Sequence, residues 1–164
     1  MGAVAPTRAG EGAGESRDGS GAAAVGHAGL VRAGLVALAV VPAVIGVWAL
    51  VAPHGFYASF PGAGRPGWVA ALGPYDQHLV RDVGALNLAF AVLLGIAAAR
   101  MTRSLVEAAL VVAFVAGVPH VVYHLTELGH LPTGDDIVSA GGLVLLAVLP
   151  LVLLWAARRP AAPG

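Results

Sequence analysis

The chain has 164 residues, enough for one domain; 58% of them are hydrophobic, 11% are charged, and the formal net charge is zero. So little charge cannot clothe a soluble domain, and a neutral chain gives no electrostatic case for nucleic acid as a partner, so an all-α integral membrane protein is the reading. Cysteine is absent, which excludes thiol catalysis, thiolate metal sites, covalent c-type haem and disulfides.

Residues 1–29 are rich in Gly and Ala with scattered charges and include His27. They bury too little apolar surface to offset their ordering entropy, so a disordered tail is expected. No apolar core with a small-residue cleavage site follows a basic start, as a signal peptide would require. Pro6 stands where a myristoylation signal has Ser or Thr.

A membrane domain is expected over residues 30–158, followed by a short tail at 159–164. Four apolar stretches mark its spans at about 33–52, 83–99, 104–125 and 137–157. Each is close to the ~20 residues that cross about 30 Å of hydrocarbon. Pro42, Pro119 and Pro150 fall inside spans, where they bend helices without excluding them. Between the first two spans, Pro53 to about Gln77 predicts turns at FPGAGRPG and LGP, with a short interfacial helix around Trp68–Leu72.

Arginine placement predicts the orientation of an antiparallel, up-down four-helix bundle. With the N-terminus inside, Arg8, Arg17, Arg32, Arg100, Arg103, Arg158 and Arg159 lie on the inner side, against Arg65 and Arg81 outside. That excess places both termini in the cytoplasm of a plasma-membrane protein. Phe56, Tyr57, Phe60, Trp68, Tyr75 and Tyr123 then collect at the outer interface, where aromatic rings anchor. His54, His78, His120, His124 and His130 collect there too.

Met101–Arg103 is the whole link between the second and third spans, so these are predicted to be adjacent and antiparallel. Depth counted from that turn brings His120 level with Val83, beside Asp82, and His124 level with Leu79, beside His78. His78 and Asp82 are four apart, as are His120 and His124, so each pair shares a helical face. Stripes of Ala85 and Ala89 on one helix and Ala109, Ala113, Ala116 and Gly117 on the other predict close contact between them. The expected result is one outer-side constellation of His78, Asp82, His120 and His124, supported by Arg81, Asn87, Tyr123 and Glu127. It depends on helical continuity back to His78 and through Pro119.

Three imidazoles and a carboxylate suit Zn²⁺, or iron or copper in another geometry, and haem held by two imidazoles is a further alternative. Proton exchange or ligand binding by His120 and Asp82 also fits, as does an inert set of polar groups at a helix end. HVVYH lacks the glutamate of an HExxH protease. Residues 108–119 offer no polar group across the middle of the bilayer, which counts against a proton pump through Glu107. Glu107 is expected to pair with Arg103, Asn87 to make an interhelical hydrogen bond, and Asp135 and Asp136 to favour the N-terminus of the fourth helix. His54 and His130 are expected to be solvated loop residues.

At GPYDQHLVRDVGALNLAFAVLL (Gly73–Leu94) and PHVVYH (Pro119–His124) the chain resembles a group of uncharacterised small actinobacterial membrane proteins and, more broadly, the DoxX-like four-helix families. The resemblance covers about Val31 to Trp155. It implies a four-helix membrane bundle and no particular reaction. The functional reading is a small non-enzymatic membrane component that binds a metal or ligand at the outer cluster. The alternatives are a membrane enzyme or redox component using metal or haem there, and a structural helper subunit with an inert cluster. Partners are the lipid bilayer and either a second copy or another membrane protein.

Overall fold

Six helices make up the computed structural model, which describes residue 25, residues 27–62 and residues 67–159. They are α1 (Ala28–Val51), α2 (Pro53–Ser59), α3 (Trp68–Leu72), α4 (Gln77–Arg100), α5 (Arg103–Thr126) and α6 (Thr133–Arg158), with no strand among the described residues. The tail expected over 1–29 lies outside the described residues, except for Val25, His27 and Ala28–Gly29, the last two of which open α1. The expected C-terminal tail lies outside them beyond Arg159, as does Arg65.

Helices α1, α4, α5 and α6 are each long and apolar enough to cross a membrane, and they match the four predicted spans. Each extends beyond its uncharged stretch at one end or both. Helix α4 starts six residues before Val83, because the Asp76 carboxylate accepts bonds from the His78 and Leu79 amides at 2.9 and 3.1 Å. It stops at Met101, whose left-handed backbone (φ 50°) turns the chain into α5. The short helix expected at Trp68–Leu72 is present as α3. Helix α2 was not anticipated; Pro53 occupies its first turn, where a missing N–H costs nothing.

Packing departs from the expected order. The most extensive pairings are α1 with α4 and α5 with α6, while α4 and α5 touch far less. Glycines explain the first pair. A side-chain carbon on Gly46 would lie 2.7 Å from the Leu88 amide nitrogen and 2.9 Å from the Gly84 carbonyl oxygen, so the two backbones meet directly. In the second pair, Gly117 lies against Ala147, where an added carbon would be 3.4 Å from that residue's Cα and Cβ. Farther along, the Arg158 guanidinium reaches Glu107.

The buried line on α4 is Val80, Gly84, Ala91, Leu94 and Ala98, whereas Ala85 and Ala89 are exposed. The predicted contact stripe was thus about one residue, or 100°, out of register.

All four long helices share a core only toward the end of the α4–α5 link. It contains Leu35 and Leu38 of α1, Leu94 and Ala97 of α4, Val106 and Leu110 of α5, and Leu153 and Ala156 of α6. At the other end, Ala49, Phe56 and Val80 form a second cluster under Trp48, Phe60 and Tyr75, which ties α2 and α3 to the α1–α4 pair. No residue of α5 beyond Ala113 is buried. The second half of α5, with both its histidines, therefore lacks cover from α1 and α4.

Candidate functional site

Helical continuity holds at both places the constellation required, since α4 includes His78 and α5 continues through Pro119 to Thr126. The pairs along each helix also form. His78 Nε2 lies 3.3 Å from Asp82 Oδ2, with both side chains well exposed. The rings of His120 and His124 meet edge to face with centroids 4.7 Å apart. Tyr123 adds an edge contact to His124 at 5.6 Å.

The two pairs are not brought into one metal-binding group: among the described residues, no three of His, Cys, Asp and Glu are placed to hold a metal ion. The structure shows His78, Asp82, His120 and His124 as two pairs, each within one helix. The cause is rotational. A two-residue link holds α4 and α5 together only near Met101 and Thr102. Beyond it, Gly84 directs α4 onto α1, and Gly117 directs α5 onto α6.

The supporting residues divide in the same way. Arg81 is exposed. Asn87 turns its amide back onto its own helix, donating from Nδ2 to the Val83 carbonyl at 2.8 Å, so the expected interhelical bond is not made. Glu127 caps the end of α5, and its Oε2 lies 3.5 Å from His130 Nδ1. That His130 nitrogen also lies 2.8 Å from the Glu127 carbonyl oxygen, which makes His130 part of an ordered turn. Asp136 closes the same turn by accepting from the Gly129 amide at 2.8 Å. It sits with Asp135 in the first turn of α6, where carboxylates complement the helix dipole. His54 packs edge to face on Tyr75 at 5.2 Å.

Glu107 accepts from Arg103 Nε at 3.1 Å, as its spacing predicted, and from Arg158 Nε at 3.3 Å on α6. The second partner was missed.

Donor chemistry narrows what the half-sites can do. Two imidazoles one helical turn apart can both reach one transition-metal ion, as can the His78 imidazole and the Asp82 carboxylate. Neither set fills a tetrahedron, so each leaves positions for water or another ligand. Haem fits less well. Axial imidazoles lie on opposite faces of the macrocycle, and His120 and His124 project from one helical face in mutual contact.

The four long helices and the exposed polar pairs at one end are those of a small multi-pass helical membrane protein. No family model matches the chain, and neither a curated protein nor a solved structure matches it.

Proposed function

We propose that the protein is a small, non-enzymatic component of the plasma membrane that binds a transition-metal ion through outward-facing histidines. In this reading the bundle runs up and down with both termini cytoplasmic, following the excess of arginine on that side. Kinship with the DoxX-like four-helix families, on Gly73–Leu94 and Pro119–His124, belongs to the same proposal.

The observation that carries the reading is the edge contact of His120 and His124 on an otherwise apolar helix end. Two imidazoles held at i, i+4 form a ready two-donor clamp, and no α5 residue beyond Ala113 is buried, which leaves the clamp open to an ion or a further ligand. His78 and Asp82 make a second, independent clamp on α4. Open coordination positions suit reversible binding better than a closed structural site.

The test is Zn²⁺ titration by calorimetry of the purified protein in detergent, beside His120→Ala/His124→Ala and His78→Ala/Asp82→Ala. Two classes of bound ion, each removed by one double variant, support the reading. No uptake above an empty-micelle control refutes it.

A further inference from the structure

A groove of about 500 Å³ runs along the membrane-facing side of the α1–α4 pair, well apart from the histidines. Its walls include Val36 and Ala43 from α1, and Ala91, Gly95 and Ala99 from α4, with Arg32 at one end. Small side chains make it: a carbon added at Gly95 would meet nothing within 4 Å.

We infer that this groove seats one acyl chain of an anionic phospholipid, whose phosphate is held by Arg32. Three features select that occupant. First, the lining is apolar apart from Arg32, which is exposed and has no carboxylate partner among the described residues. Second, the depth fits one leaflet. From Arg32 to Ala43 the helix advances roughly 16 Å at ~1.5 Å per residue, about half of a ~30 Å hydrocarbon core. Third, the surrounding charge attracts anions. Arg100 follows Ala99 directly, and Arg103, Arg158 and Arg159 lie at the same end of the long helices. Against them stands Glu107, the one carboxylate there among the described residues, and it is already shared by Arg103 and Arg158.

A phosphodiester therefore meets uncompensated guanidinium charge at headgroup level while its chain fills a preformed apolar slot. A transmembrane helix of a second copy would cover the slot but would bring Arg32 no counter-charge.

The test uses the full chain reconstituted in phosphatidylcholine vesicles. Electron spin resonance reads the motionally restricted fraction of phosphatidylglycerol or phosphatidylcholine spin-labelled near the end of one chain. The expected result is a preference for phosphatidylglycerol of about fivefold, the effect of the ~1 kcal/mol that one arginine near a membrane surface contributes. Arg32→Gln should abolish the preference while leaving a restricted fraction for both lipids. Gly95→Leu, which fills open space and leaves the fold intact, should lower that fraction for both. Equal binding of the two lipids by the unaltered protein would overturn the inference. So would a preference that survives Arg32→Gln, or stoichiometric disulfide-linked dimers of Gly95→Cys, which would place a second copy in the groove.

Discussion

Gly46 of α1 faces Gly84 of α4 across a gap with no room for a side chain: a carbon on Gly46 would lie 2.9 Å from the Gly84 carbonyl oxygen. This contact, more than the short link between α4 and α5, decides where α4 packs. Gly46→Ala should therefore force the pair apart and cost about 1–3 kcal/mol, as overpacking does. Gly141→Ala on α6 adds a carbon into open space and should change stability by less than about 0.5 kcal/mol. Unfolding titrations in mixed micelles compare the two; equal shifts would mean the Gly46 contact does not hold the helices together.

The start of α4 makes a smaller prediction. Asp76 accepts from two backbone amides that the helix itself cannot satisfy. Replacing it by Ala should cost about 1 kcal/mol, and replacing it by Asn or Ser much less. The same titration checks this, and indistinguishable Ala and Asn variants would remove the cap from the account.

Metal binding at two half-sites has a signature that a single four-ligand site lacks. Removing His78 and Asp82 should leave the ion at His120 and His124 bound with unchanged affinity, because separate sites behave additively. Loss of all binding from either double variant would mean that the four side chains act together. Because imidazole binds a metal only in its neutral form, occupancy at both sites should fall on acidification, with protons competing for the nitrogens. Zn²⁺ titrations at successively lower pH read this, and affinity that is flat or rising on acidification would rule out imidazole ligation.

Much of this structure is legible in the sequence, and what is not has a physical cause. Uncharged stretches of spanning length locate α1, α4, α5 and α6 because the bilayer fixes length and excludes charge. Spacing also shows the His78–Asp82, His120–His124 and Arg103–Glu107 pairs, since a helix places i and i+4 side by side. Helix rotation is another matter. A lipid-facing surface is as apolar as an interface, so α4 offers Ala85 and Ala89 on one side and Gly84 and Ala91 on the other with little to choose between them. The choice lies with the partner: Gly46, thirty-eight residues away in the chain, accepts the backbone at Gly84. The Arg158–Glu107 pair joins residues 51 apart in the chain, and the longer α5–α6 connection does not fix the register that brings them level.

Helix pairing is the claim on which the site geometry rests, and disulfide trapping in membranes tests it most directly. The chain has no cysteine of its own, so introduced pairs report without background. Gly117→Cys/Ala147→Cys joins positions whose side-chain carbons lie about 3.4 Å apart, close to disulfide range, and should crosslink readily under mild oxidant. Asp82→Cys/His120→Cys, which links the two half-sites, should not crosslink under the same conditions. Ready crosslinking of 82 to 120 with none between 117 and 147 would contradict the account and restore the single constellation of His78, Asp82, His120 and His124.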